Sequence, residues 1–166
     1  PALFGTLLHV LTNGLTTGVL FLSAGNIHRA FGSKSTDQVR GAMRRLPLSG
    51  TLFLAAFMAI TGSPPFGPFI SEFAILNGAF EAGRFAVGGL FLFFLLVVFV
   101  GMGGTVLNVV QGRAPAELPD PPYRDRLLTG APLVVLMALV LLLGLYIPAP
   151  LRDLLNDAVS FLEERP

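Results

Sequence analysis

The chain has 166 residues, of which 53% are hydrophobic and 13% are charged, and its net charge is +1. Soluble domains carry about 25% charged residues, so this composition excludes an ordinary soluble domain. The small net charge gives no sign of a nucleic-acid partner. Cysteine is absent, which excludes thiolate metal sites, iron–sulfur clusters and disulfides. We therefore expect a membrane protein that holds no cofactor and no metal ion.

The chain begins at Pro1 and enters an apolar run at once. No positively charged segment precedes this run and no cleavage site follows it, so we do not expect this run to be a signal peptide. We interpret the chain as cut from a longer polypeptide, or processed, with further helices upstream.

Five apolar segments approach the length of about 20 residues that a helix needs to cross a bilayer. In chain order they cover residues 2–24, 46–62, 65–80, 85–110 and 129–147. Backbone groups cannot stay unpaired in lipid, and the segments are too long for barrel strands. The predicted fold is an all-α, polytopic transmembrane helix bundle of about five spans, one of them broken by proline. We assign the bundle to residues 1–147 and a C-terminal amphipathic surface helix to residues 148–166.

Polar connections separate the spans. The connection over residues 25–45 is basic, with five Arg or Lys side chains against Asp37 alone, and loop charge would place it in the cytoplasm. Residues 111–128 are rich in proline and are typical of an aqueous loop. Four crossings after the basic loop would bring the C-terminal helix to the same side as that loop.

The C-terminal segment after Pro148 and Pro150 has helical periodicity. Its apolar face comprises Leu151, Leu154, Leu155, Ala158, Val159 and Leu162. Arg152, Asp153, Asn156, Asp157 and Glu163 form the polar face. The segment is too short and too polar to span, so we expect it along the membrane surface or against a partner subunit. A docked terminal helix without a coupling role fits the pattern equally.

Two ionisable residues, His9 and Glu72, lie well inside the predicted spans. A carboxylate at mid-membrane depth costs roughly 2.5–3.5 kcal/mol on insertion scales, so such residues are usually functional. An apolar environment favours the neutral acid, which lets a glutamate take up and release protons near neutral pH. Glu72 is therefore a candidate proton relay. The alternative is a protonated side chain that is hydrogen-bonded to a neighbouring helix.

Prolines precede Glu72 closely: Pro64, Pro65 and Pro68, with Gly67 among them. Three prolines remove three backbone donors and interrupt a helix. Broken helices recur at ion-binding sites of transporters, where protein or water covers the free backbone. A tight hairpin between two ordinary spans is the alternative interpretation.

A polar stripe runs along the first span. Thr6, His9, Asn13 and Thr17 recur at steps of three to four residues, with Thr16 adjacent. An imidazole can relay protons near neutral pH, so His9 is a second candidate. For the threonines and the asparagine we favour hydrogen bonding between helices.

The runs LLHVLTNGLTTGVLFLSAGNI and LAAFMAITGSPPFGPFISEFAIL resemble the antiporter-like proton-channel family. This family includes the large membrane subunits of respiratory complex I, of Mrp-type antiporters and of membrane-bound hydrogenases. Three segments, SAGNIHRAFGSKSTDQVRGAMRRLP, GSPPFGPFISEF and LGLYIPAPL, most resemble the antiporter-like membrane subunit of hydrogenase-4 and formate-hydrogenlyase-like complexes.

The resemblance implies that the chain supplies most of the second of two inverted repeats, plus the last core helix. It implies that Glu72 occupies the proton site on the broken helix, and that the stripe belongs to a central hydrophilic axis. It also implies that the basic loop and the C-terminal helix share the outer face, and we favour this orientation over the cytoplasmic one, since assembly with other subunits can override a bias from loop charge. Relatives commonly carry a second His and a Lys along the first span, where this chain has the neutral Asn13 and Thr17.

These observations predict a proton-translocating membrane subunit of a hydrogenase-4-like or complex-I-like redox complex, multi-pass in the cell inner membrane. Expected partners are other membrane subunits, the lipid bilayer and protons, or sodium in their place. Glu72 would be the titrating relay, His9 a secondary relay, and Asn13 and Thr17, with Thr16 beside them, water-orienting groups.

Two alternatives stay open. One is a cation/proton antiporter or inorganic-carbon-uptake subunit. The other is a non-conducting structural scaffold, which the missing lysine at Thr17 favours.

Overall fold

The structure, a computed structural model, describes residues 2–113 and 123–164. Every regular element in these ranges is a helix, which confirms the predicted fold class. The helices are α1 (Ala2–Phe31), α2 (Ala42–Arg45), α3 (Pro47–Ile60), α4 (Gly67–Glu81), α5 (Phe85–Gln111), α6 (Leu127–Leu145) and α7 (Ala149–Glu163). Most of the predicted aqueous loop, residues 114–122, lies outside the described ranges.

Helix α1 is longer than its apolar segment. The prediction ended the first span at residue 24, whereas α1 continues to Phe31 and thus takes in seven residues of the predicted basic loop. Gly32 follows in the left-handed region at φ 67°, a conformation that commonly ends helices because glycine has no Cβ. Among the described helices, α1, α5 and α6 are long and apolar enough to cross a membrane, and α3 is a shorter apolar helix.

Helices α3 and α4 follow each other along the same neighbour, α1. At the start of α3, the Asn26 side chain of α1 donates a hydrogen bond to Ser49 Oγ at 3.0 Å. At the middle of α4, Gly5 of α1 packs so closely that a Cβ there would lie 2.9 Å from the Cβ of Ala74. Both helices therefore run antiparallel to α1, one after the other, and are two halves of a single discontinuous crossing.

Helix lengths agree with this arrangement. With 14 residues in α3 and 15 in α4, each half measures only about 20–23 Å, short of the roughly 30 Å hydrocarbon core. The hairpin alternative is therefore contradicted, and within residues 2–113 and 123–164 the predicted count of about five crossings becomes four: α1, α3 with α4, α5, and α6.

The corrected count changes the predicted sidedness. Three crossings, not four, follow the basic loop, so the C-terminal helix lies at the opposite end of the bundle from that loop. Consistently, α6 ends near Ile70 of α4, on the half of the broken helix that lies away from the basic loop, and α7 follows it. The expectation that the basic loop and the C-terminal helix share one face is wrong.

The break between the two half-helices covers residues 61–66. Gly62 lies there at φ 72°, and Pro64 and Pro65 follow it. Gly67 and Pro68, expected in the break, are instead the first two residues of α4. Proline is accepted in a first helical turn because its missing N–H has no intrahelical partner there.

The segment before α6 supports the N-terminus of α3. Asp125 Oδ2 accepts hydrogen bonds from the backbone N–H groups of Leu48 at 2.9 Å and Ser49 at 3.2 Å. Asp125 Oδ1 accepts a third, from Ser49 Oγ, at 2.5 Å. The Tyr123 hydroxyl donates to Asn26 Oδ1 at 2.9 Å. One short segment thus ties α1 and α3 together and caps α3, whose own N-cap leucine offers no side-chain bond.

Candidate functional site

Glu72 lies on α4, close to the segment that follows the end of α3. Only 7% of the surface of Glu72 is exposed, and its carboxyl group lies next to Gly62. A Cβ on Gly62 would overlap a carboxylate oxygen of Glu72. Only glycine at this point leaves room for the acid beside the break, and its left-handed φ of 72° also favours glycine.

A small cavity of about 100 Å³ adjoins the carboxyl group of Glu72 between α4 and α5. Apart from Glu72 and Gly62 it is lined by apolar side chains: Phe69, Phe73, Leu76, Phe91, Leu92 and Leu95. The Glu72 side chain makes no hydrogen bond or ion pair with another described residue. The cavity exceeds the roughly 30 Å³ share of one water molecule in the liquid.

His9 contacts the broken helix on a different side. Its Nδ1 lies 2.9 Å from Ser71 Oγ, which in turn donates to the Pro68 carbonyl at 2.8 Å. Thr12 Oγ1 lies 3.3 Å from the same serine oxygen. His9, Thr12 and Ser71 thus form one small polar cluster at the seam of α1 and α4.

Sequence reasoning missed Ser71 and Thr12. The signal for Ser71 was its position beside Glu72, in a stretch of α4 (68–76) whose other side chains are apolar. Consecutive helical side chains diverge by about 100°, so Ser71 faces α1 while Glu72 faces Gly62 and α5. Within the described residues, no hydrogen bond joins His9 to Glu72.

The predicted stripe on α1 divides in the structure. Asn13 and Thr17 are half-buried on the flank beyond His9, and their side chains make no hydrogen bond to another described residue. Thr16 is fully buried, and its hydroxyl donates to the Thr12 carbonyl of the same helix at 2.8 Å. The predicted stripe therefore has one side that is buried, at Thr16, and one side that is partly exposed, at Asn13 and Thr17.

The seam between α1 and the broken helix is not polar throughout. Toward the basic loop, Ser23 and Asn26 are buried polar residues. An apolar cluster separates them from the His9–Thr12–Ser71 cluster. It comprises Val19, Ala56, Ala59, Met137 and Val140, all buried. Among the described side chains, the seam thus holds two polar clusters with an apolar layer between them.

Residues 2–100 match the family described as NADH:quinone oxidoreductase/Mrp antiporter, transmembrane. The chain belongs to this family. As a member of the NADH:quinone oxidoreductase/Mrp antiporter family, it is similar to NADH-quinone oxidoreductase subunit M of Mycobacterium tuberculosis, with 33% identity over 160 residues. That match covers 94% of this chain and 28% of the relative.

A second relative in the same family is a Na(+)/H(+) antiporter subunit of Bacillus subtilis, 28% identical over 141 residues. Here the match covers 85% of this chain and again 28% of the relative. The chain thus spans little more than a quarter of the length of either protein.

A solved structure of the Mrp complex from Dietzia sp. contains a chain with the same fold, at a TM-score of 0.83 and 22% identity. The match covers 98% of this chain and 38% of that one. The predicted antiporter-like family and the multi-pass localisation in the inner membrane are confirmed. The narrower resemblance to the membrane subunit of hydrogenase-4 stays a prediction.

Proposed function

We propose that this chain is part of an antiporter-like membrane subunit that conducts protons within a multi-subunit complex. The observation that carries the proposal is the Glu72 carboxyl group, buried beside a helix break with a cavity next to it. Intramembrane carboxyl groups are costly and usually functional, and helix breaks at membrane depth commonly mark ion sites.

Glu72 acts in this proposal as the titrating relay. Because no described residue forms an ion pair or hydrogen bond with it, the acid can exchange a proton without first giving up a protein partner. Gly62 leaves the carboxyl group space at the break, and water entering the adjoining cavity would connect it to the rest of the path.

His9 acts as a secondary relay, held by Ser71 at the α1–α4 seam. Asn13 and Thr17 orient water on the flank of α1 that the described residues leave partly open. Thr16 belongs at the margin of this path, since its hydroxyl is engaged by its own helix. Because Ser71 faces His9 on α1 while Glu72 faces Gly62 and α5, the path from Glu72 to His9 would run around α4.

The parent assembly in this proposal is a redox complex of the hydrogenase-4 or complex I type, with electron transfer in partner subunits. The three segments that resemble the hydrogenase-4 membrane subunit support the former. The relative named NADH-quinone oxidoreductase subunit M supports the latter. Other membrane subunits are the expected partners in both cases.

A cation/proton antiporter is the second candidate, favoured by the similarity to the Na(+)/H(+) antiporter subunit of Bacillus subtilis. Transport in proteoliposomes with and without sodium separates the two candidates. Redox-driven proton uptake that is independent of sodium supports the first, and sodium efflux coupled to proton entry supports the second.

The deciding experiment compares the parent complex carrying Glu72→Gln with wild type in proteoliposomes, recording proton transport and electron transfer together. The matched control is Glu81→Gln, since Glu81 is an exposed carboxylate at the end of the same helix. We expect Glu72→Gln to lose most proton transport per electron while Glu81→Gln keeps it. Unchanged transport in Glu72→Gln, with electron transfer intact, would instead support the non-conducting scaffold.

A further inference from the structure

A second and larger cavity lies at the other end of α1, far from Glu72. It measures about 490 Å³, within the size range of ligand-binding pockets. Its apolar lining combines side chains of three helices, among them Phe21 and Ala24 of α1, Phe53 of α3 and Val109 of α5. The proposed proton path uses none of these residues.

The mouth of this cavity is polar and basic. Lys34 and Thr36 line it from the loop that follows α1. Lys34 is exposed and makes no ion pair or hydrogen bond within the described residues. The loop's one carboxylate, Asp37, is engaged by Arg40 at 3.6 Å. The mouth therefore presents positive charge that no described side chain neutralises.

The cavity also lies where the chain changes from apolar to polar. Below it α1 and α5 are apolar helices of membrane-spanning length, and above it begins the basic loop. An occupant must therefore join an apolar part, which the walls bury, to an anionic group at the level of Lys34. A bilayer phospholipid with an anionic headgroup has this form, and basic side chains at the membrane surface attract such lipids.

We propose that this cavity, the Lys34 groove, binds an anionic phospholipid of the surrounding bilayer. The acyl chain lies along Ala24, Phe53 and Val109, and the phosphate is held by Lys34. The hydroxyl of Thr36 is a further donor at the mouth. The site is independent of Glu72 and would be retained in a non-conducting scaffold.

The test uses the full parent chain, purified in detergent and titrated with phosphatidylglycerol or phosphatidylcholine, with bound lipid measured by native mass spectrometry. We expect wild type to prefer phosphatidylglycerol. Lys34→Gln should weaken phosphatidylglycerol binding by about fivefold, the effect of one basic residue near an anionic surface. The matched control is Arg113→Gln, since Arg113 is exposed and follows the α5 end that lines the groove.

A second variant, Ala24→Phe, places a large side chain in the cavity and should reduce binding of both lipids. If this variant fails to fold, Lys34→Gln still tests the proposal, because Lys34 is exposed and its substitution does not disturb packing. Equal affinity of wild type for the two lipids would overturn the proposal. An equal loss of phosphatidylglycerol binding in Lys34→Gln and Arg113→Gln would also overturn it, because the lipid would then be attracted to the basic surface in general. A crosslink from the groove to a protein segment of the parent chain would overturn it as well, because the occupant would then be protein.

Discussion

At the scale of single residues, Gly62 and Glu72 form one unit although ten positions separate them. Gly62 has a left-handed φ of 72°, and the place where its Cβ would stand is taken by the Glu72 carboxyl group. A side chain at Gly62 would therefore strain the backbone and displace the acid at once. Gly83 has a similar φ of 69°, but a Cβ there would meet nothing within 4 Å.

This contrast gives the prediction at the residue scale. Gly83→Ala should destabilise the protein by roughly 1–2 kcal/mol, the cost of a left-handed backbone with a Cβ, and Gly62→Ala should destabilise it by more, because its Cβ also overlaps the Glu72 carboxyl group. Only Gly62→Ala should also lower proton transport per electron, because only it moves the Glu72 carboxyl group. Thermal unfolding and proteoliposome transport of both variants check this. Equal transport in the two variants would mean that Gly62 serves the turn alone.

At the scale of elements, the two halves of the broken helix are supported separately. The α4 half packs against α1 near Gly5 and is joined to it through His9 and Ser71. The α3 half is fixed at its start by Asp125, which accepts three hydrogen bonds from Leu48 and Ser49. Because a break removes helical hydrogen bonds, each half depends on its own tertiary contacts.

Asp125→Ala should therefore loosen α3 without touching Glu72. Loss of a helix-capping acid costs about 0.5–2 kcal/mol, so we expect a lower unfolding temperature with largely preserved proton transport. The matched control is Asp153→Ala, an exposed aspartate of α7, which should leave stability unchanged. A stability loss no larger than that of the control would show that Asp125 does not support α3 in the assembled protein.

At the scale of the whole molecule, the four crossings formed by the described helices place the basic loop and α7 at opposite ends of the bundle. Single-cysteine variants of a cysteine-free parent chain can test this directly. Ser35→Cys lies in the basic loop and Ser160→Cys lies on α7, and both serines are exposed. A membrane-impermeant maleimide should label the two cysteines from opposite sides of the membrane. Labelling of both from one side would support five crossings and contradict the single broken crossing.

The sequence by itself determined the class of the molecule and its candidate relay. Long apolar segments predict membrane helices because unpaired backbone groups cannot stay in lipid, and α1, α5 and α6 follow that pattern. Glu72 could be identified as a candidate relay from the sequence, because a carboxyl group within a membrane-spanning segment is costly. Pro64 and Pro65 marked the helix break near it, because proline interrupts a helix. Periodicity also predicted α7, whose Leu155 faces the bundle.

Only the tertiary structure decided whether the segments on either side of the break cross once or twice. Local composition is the same for a hairpin and for two half-helices in line, whereas contacts of both halves with α1 distinguish them. Contacts also decided that Ser71, not Glu72, meets His9, and that Asp125 caps a helix 76 residues away in sequence. Such pairings depend on which helix faces pack together, and the periodicity of one segment carries no information about the face its neighbour presents.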